Sequence, residues 1–395
     1  MALSRWLQTL RKSFLVLPAV VAAVAMLVVL IQIPNDRPNS PPVIEFIDSQ
    51  QALGYSNSRD VSLADVDGDG DIDAFVANGH QPNKVWLNDG SGFFTDSQQA
   101  VGYSNSRDMG LADMDGDGDI DAFVANKHQP NKVWLNDGSG KFTDSQQALG
   151  NYASTGVSLA DVDGDGDIDA FVTNVARQPN KVWFNNGSGK FTDSQQALGN
   201  SRSVDVSLAD VDGDGDLDAF VANAINDPNK VWLNDGSGNF TDSLQVLGDS
   251  FTQGVSLADV DGDGDIDAFA ANLNESNKVW LNNGSGFFTD SRQTLGNHAS
   301  IDVSLADVDG DGDLDAFIVN TVDDPNKVWL NDGSGKFTDS GQALGNSLSF
   351  GVSLADVDGD GDLDAFVANG DFPNFLADGG DPNTVWLNNL DPKLN

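Results

Sequence analysis

Cysteine is absent from the 395 residues, so disulfides, thiolate nucleophiles and thiolate metal sites are excluded. Histidine occurs only three times, at His80, His128 and His298, and does not cluster in the sequence, so zinc and copper sites are not expected. Positive charge is scarce: 20 basic residues stand against 61 acidic ones, for a formal charge of −41. Such a chain is ill suited to nucleic acid or an anionic membrane surface, both of which require basic patches. The lack of disulfides does not argue against export, because a domain of about 350 residues can bury a full core without covalent staples. A helical apolar period is missing throughout the body of the chain.

What is present is one acidic nonapeptide in seven copies. The first comprises Asp65, Asp67, Asp69, Asp71 and Asp73, with Gly68 and Gly70 between them. The second holds Asp113, Asp115, Asp117, Asp119 and Asp121, and the third Asp161, Asp163, Asp165, Asp167 and Asp169. The fourth holds Asp210, Asp212, Asp214, Asp216 and Asp218, and the fifth Asp259, Asp261, Asp263, Asp265 and Asp267. The sixth holds Asp307, Asp309, Asp311, Asp313 and Asp315, and the seventh Asp356, Asp358, Asp360, Asp362 and Asp364. Successive copies start 48 or 49 residues apart, the spacing of propellers and solenoids built from one supersecondary unit per repeat. Seven loops of five aspartates hold 35 of the 61 acidic residues, leaving 26 against 20 basic ones elsewhere. The acidity is thus concentrated in register, unlike a generally acidic halophilic surface.

Each repeat contains four short β-rich runs separated by Gly, Asn and Asp turns, as in Val61–Asp65, Ala74–Asn78, Asn83–Asn88 and Phe93–Ser97. Asn88-Asp-Gly-Ser-Gly92 reads as a tight hairpin. Four antiparallel strands in seven units predict an all-β, seven-bladed β-propeller. The sequence enters the repeat at a fourth-strand segment, Phe46 to Gln50, and stops after a third-strand segment, Val385 to Asn388. The N-terminal segment is therefore expected to complete the last blade and remove a free sheet edge, which an open solenoid would not need. Trp86, Trp134, Trp183, Trp232, Trp280, Trp329 and Trp386, and the Phe75, Phe123, Phe171, Phe220, Phe269, Phe317 and Phe366 series, sit at equivalent mid-strand positions and read as core.

Ahead of the repeats, residues 1–13 form a basic tail and residues 14–33 an apolar run long enough to span a bilayer as one helix. A proline-rich linker, residues 34–42, leads into the propeller at 43–395. Ala23-Val-Ala25 resembles a signal cleavage site, but the apolar run continues past it, favouring an uncleaved anchor. Both readings export the repeats, the anchor to an extracellular or periplasmic surface and the cleaved form as a secreted protein.

Five carboxylates in nine residues repel one another unless a cation lies among them. Calcium takes six to eight hard oxygens at flexible geometry, whereas magnesium is smaller, stricter and reluctant to shed water. Side-chain oxygens of Asp65, Asp67 and Asp69, the carbonyl of Asp71 after a positive-φ Gly70, and Asp73 suit calcium. An EF-hand would need Glu at position twelve, where Val76 stands, and flanking helices. The loop, once per four-stranded unit, resembles the FG-GAP and VCBS repeat family, which includes the calcium-binding propeller of integrin α-subunits. The resemblance covers roughly 43–395 and implies calcium at loop positions one, three, five and nine, with position seven giving its carbonyl. The Phe-Gly and Gly-Ala-Pro signatures of integrins and their long leg region are missing, and the chain looks closer to bacterial VCBS-type surface proteins. Seven structural calcium ions would offset 14 of the 41 negative charges.

The calcium loops and the near-constant Gly-Ser-Gly turns fall on one face of such a propeller, and the variable connections on the other. Variable loops on a rigid scaffold are where binding concentrates, with Arg59, Arg107, Tyr55, Tyr103 and Phe372 as candidates. The expected function is a monomeric surface module for adhesion to an extracellular protein or polysaccharide. A lectin or a lyase-like polysaccharide enzyme on the same scaffold is the alternative. No asymmetric acid–base cluster is apparent around His80, His128 or His298.

Overall fold

The second run of every repeat, Ala-Phe-Val or a close variant, has no polar alternation, which predicts burial on both faces. A computed structural model describes residues 44–321, 324–371 and 380–390 and bears this out. Every residue of the strands Asp121–Asn126, Asp169–Asn174, Asp218–Asn223, Asp267–Asn272, Asp315–Asn320 and Asp364–Asn369 is buried. The segments expected at 1–13, 14–33 and 34–42, and Phe372, lie outside the described residues. Among the described residues no helix is long and apolar enough to cross a membrane.

The third repeat is representative. Ser154–Ala160, Asp169–Asn174, Lys181–Phe184 and Thr192–Asp193 pair in chain order as one antiparallel sheet. The fourth, fifth and sixth repeats do the same. The last sheet takes its fourth strand from the start of the described chain. Phe46–Asp48 pairs antiparallel with Thr384–Asn388, placing Phe46 opposite Asn388 and Asp48 opposite Trp386. The first repeat departs from four separate strands, and its sheet is continuous with that of the second. Asp73–Asn88 is one continuous 16-residue strand, because the connection between its halves pairs with the lengthened strand Val101–Ala112. Its two ends nevertheless lie together, since Asn88 N donates to Asp73 Oδ1 at 2.8 Å.

The sheets pack face to face through side chains that the sequence repeats in register. The first strands of successive repeats touch in order, and Ser58–Ala64 also packs against Ser349–Ala355, so the last sheet meets the first. A second-strand Phe meets a fourth-strand Phe of the next sheet edge-to-face, as in Phe75–Phe142 at 5.0 Å, Phe46–Phe317 at 5.3 Å and Phe94–Phe366 at 5.3 Å. Trp86, Trp183, Trp232, Trp280 and Trp329 are buried within the same intersheet clusters. A glutamine clamps each junction: Gln51 donates to Gly92 O at 2.6 Å and accepts from Phe94 N at 2.9 Å. Gln342 accepts from Phe46 N at 3.0 Å, tying the strand Phe46–Asp48 to the preceding repeat. All of this fits a β-propeller.

If Phe46 joins the sheets at this seam, Phe46→Ala should cost about 3–5 kcal/mol. Chemical denaturation of the two proteins measures it; a loss below about 1 kcal/mol would show that the seam contributes little.

Acidic loops and a central cavity

Each acidic loop is folded on itself by its own carboxylates. Asp65 accepts from Gly68 N at 2.7 Å and Gly70 N at 3.0 Å. Asp67 and Asp69 accept from the N–H groups two residues on. Gly68 and Gly70 have φ of 77° and 97°, which a β-carbon would oppose. The loop thereby brings the carboxylates of Asp65, Asp67 and Asp73 within 4.8 Å of one another. The same three positions converge as Asp113, Asp115 and Asp121, as Asp161, Asp163 and Asp169, and as Asp210, Asp212 and Asp218. In the fifth loop the gathered set is Asp259, Asp261 and Asp263. Two further groups of this kind occur among the described residues.

Position seven is not gathered in these groups. The Asp71 carboxylate lies over the neighbouring turn, where a β-carbon on Gly90 would come within 2.6 Å of it. Asp119, Asp167, Asp216, Asp265 and Asp313 sit in the same way over Gly138, Gly187, Gly236, Gly284 and Gly333. The side chain of this residue therefore lies against the turn and outside the gathered set.

Position nine ties the loop to the rest of the molecule. Buried Asp73 accepts from Val66 N at 3.0 Å and Asn88 N at 2.8 Å. The Asn88 side chain donates in turn to Val357 O, inside the acidic loop of the adjacent repeat, at 2.7 Å. Asn136, Asn185, Asn234, Asn282, Asn331 and Asn388 make the corresponding bonds to Val66, Met114, Val162, Val211, Val260 and Val308. The order of one loop thus bears directly on its neighbour. Burial pushes the carboxyl of Asp73 up to about 6 and that of Asp121 up to about 7, against the pull of their N–H donors, and nearby carboxylates add repulsion. A divalent cation among these oxygens would relieve both penalties.

A cavity of about 400 Å³ lies at the opposite end of the first strands. Its wall takes Arg59, Arg107, Thr155, Val204, Gln253, Ile301 and Phe350, one from each repeat. Of the variable-face candidates, Arg59 and Arg107 are therefore brought together, whereas Tyr55 and Tyr103 are 62% and 72% exposed and do not line the cavity. His80, His128 and His298 are also outside its lining. His298 instead faces Asp324, with Nδ1 to Oδ1 at 3.4 Å.

Beneath this rim lies a set of carboxylates that sequence reasoning missed. The residue after each rim position is Asp60, Asp108, Gly156, Asp205, Gly254, Asp302 or Gly351. Each aspartate caps N–H groups of its own strand and the next one. Asp205 accepts from Val206 and Val255, both at 2.8 Å. Asp302 accepts from Val303 at 2.8 Å and Val352 at 3.1 Å. Asp108 accepts from Met109 at 2.7 Å and Val157 at 2.6 Å, and Asp60 accepts from Met109 at 3.2 Å. Glycine is required between them: a β-carbon on Gly254 would lie 2.8 Å from Asp302 Cα, and one on Gly351 2.8 Å from Asp60 Cα. Burial pushes Asp60 and Asp205 up to about 7 and Asp302 up to about 8. Asp108 goes well above the ordinary range through burial and then the Asp60 charge. The available signal was a strand position occupied by Asp in four repeats and Gly in three. Lys127 and Arg202, also in the lining, carried no comparable signal.

Fold and loops together define a class: repeat proteins of four-stranded antiparallel sheets with one acidic, cation-suited loop per unit. The chain belongs to the FG-GAP-like repeat family, whose model matches residues 65–112, 113–172, 161–221, 210–270, 259–318 and 307–367. No curated protein matches the sequence. Among solved structures, BBS1N, determined in complex with ARL6DN, is similar at TM-score 0.60 and 10% identity, covering 90% of this chain and 99% of that one. A streptogramin B lyase is similar at TM-score 0.58 and 11% identity, covering 88% and 97%. The computationally designed Ika8 protein follows at 0.50 and 13%, covering 88% and 99%. At these identities the likeness is one of fold.

Proposed function

We propose that the chain is an exported, seven-bladed β-propeller, stabilised by calcium in its seven acidic loops, that binds an extracellular ligand through the face opposite those loops. The observation that carries this reading is the division of labour between the two ends of the strands. One end repeats an acidic loop hydrogen-bonded into its neighbour, which suits a structural cation. The other end carries the dissimilar connections and the cavity, which suits recognition. Extracellular modules of this kind hold calcium at about 10⁻⁴–10⁻³ M, which suits export to calcium-rich surroundings.

Binding is favoured over catalysis because the cavity lining contains no histidine, and its carboxylates are engaged with backbone N–H groups. BBS1N has ARL6DN as a protein partner, which makes a protein ligand as admissible here as a polysaccharide. The test is retention of the chain on immobilised polysaccharides and extracellular matrix proteins, with calcium and then with chelator. Selective, calcium-dependent retention is the expected result. Turnover of a polysaccharide, read as product release, would replace the reading with an enzymatic one.

A further inference from the structure

The cavity gathers positive charge in a chain that has very little. Arg59, Arg107 and Lys127 all line it, on a protein of formal charge −41. Among the described residues none of the three forms an ion pair with a carboxylate. Arg59 is 7% exposed; one terminal nitrogen donates to the Asp371 carbonyl at 2.6 Å, while its buried Nε has no hydrogen-bond partner. The buried Nε of Arg107 has none either. The aspartates beneath also line the cavity, but burial pushes their carboxyls up and favours the neutral form, which carries no charge to offset the cations. Burial pushes Arg59 down to about 9 and lowers Arg107 and Lys127, and the cations repel one another as well. The Asp371 charge attracts Arg59, but three cations held together gain further from an anion that enters.

Another part of the lining is apolar. Phe251, Ile301 and Phe350 form it, and the Phe350 ring lies 4.1 Å from the Arg59 guanidinium. The cavity thus sets the cations of the first two repeats beside an apolar stretch from the last three, within the size range of small-molecule sites.

We propose that this cavity is a binding site for a small organic anion, with a carboxylate or phosphate head on Arg59, Arg107 and Lys127 and an apolar body against Phe251, Ile301 and Phe350. The inference rests on the reading of this face as the recognition face and names the chemistry it takes. The two arginines supply planar, directional donors for an oxyanion, and the lysine adds a point charge. The aromatic wall gives the body a place to leave water.

The test is calorimetric titration of the full chain in calcium with 4-phenylbutyrate and phenyl phosphate. The charge-free 4-phenylbutan-1-ol and the body-free butyrate serve as controls. At least one charged aromatic probe should bind at one per chain and at least tenfold more tightly than either control; which one it is distinguishes a carboxylate from a phosphate source. Arg107→Gln combined with Lys127→Gln should weaken that binding at least tenfold, while Arg107→Lys alone should weaken it less. Calcium stoichiometry, measured on the same samples, should stay unchanged in all variants, showing that they remain folded. Equal binding of the alcohol, indifference to the double variant, or no heat from folded wild-type protein would each overturn the proposal. Macromolecular retention without probe binding would leave the face as an interaction surface and remove only this site. Probe binding without any retention would do the reverse.

Discussion

Removing calcium should lower the melting temperature far more than the loss of a single ion would, because the loops are hydrogen-bonded in a cycle. At a tenfold excess over the dissociation constant each site contributes about 1.4 kcal/mol, so seven sites together contribute about 10. That is comparable to the whole stability of an ordinary domain. The sharper form of the prediction uses the third loop. Asp163→Ala with Asp165→Ala deletes positions three and five but leaves Asp169, whose bonds to Val162 N and Asn185 N hold the local fold. Calcium stoichiometry should fall by one, and the melting temperature in calcium should drop. In chelator the order should equalise or invert, because the variant has shed two mutually repelling carboxylates from an empty loop. Titration calorimetry and thermal unfolding with and without chelator measure both effects. Unchanged stoichiometry would refute the site, and an equal loss of stability in chelator would show that the two aspartates act through something other than a cation.

How legible the molecule is in its sequence depends on whether a feature recurs within one repeat or arises only between repeats. The strands, the turns at Gly90 and Gly92, and the loop carboxylates recur in every unit, so seven copies read as seven votes for one local structure. The pairing of Phe46–Asp48 with Thr384–Asn388 was legible for the same reason. Junction features were not. Asp60, seen alone, is one charge in a strand. Only when residues 48 or 49 positions apart meet around the cavity do Asp60, Asp108, Asp205 and Asp302 become one set. The place of the Asp71 side chain was not legible, because it lies over Gly90, 19 residues further on. The continuous strand Asp73–Asn88 depended likewise on Val101–Asn105 of the next repeat.

The carboxylates beneath the cavity carry a second large effect, which follows from their number. Seven strand N–H groups, from Val61 to Val352, need acceptors, and each aspartate can serve its own strand and the next. Alternating Asp and Gly does this without crowding, but seven positions cannot alternate around a closed cycle, so two aspartates must be adjacent. Asp60 and Asp108 are that pair, and both accept from Met109 N. Asp60→Gly should therefore orphan only the Val61 N–H, because Met109 keeps Asp108. Asp205→Gly should orphan two donors, at Val206 and Val255, and an unmet buried donor costs about 1–3 kcal/mol. The Asp205 variant should accordingly be the less stable of the two by about that amount. Their dependence on pH has a definite sign. Groups whose folded pKa is raised to about 7 or 8 from the ordinary 3.8 bind protons more tightly when folded. Their contribution is fully present below about pH 4 and is lost as pH rises through 7 to 8. Between pH 5.5 and 8.5, in saturating calcium, the wild type should lose more stability than the Asp60 variant, in which Asp108 no longer meets an adjacent charge. Thermal unfolding of the three proteins at both pH values decides the matter. Parallel behaviour of wild type and Asp60→Gly across this range would show that the adjacent pair carries no shared proton.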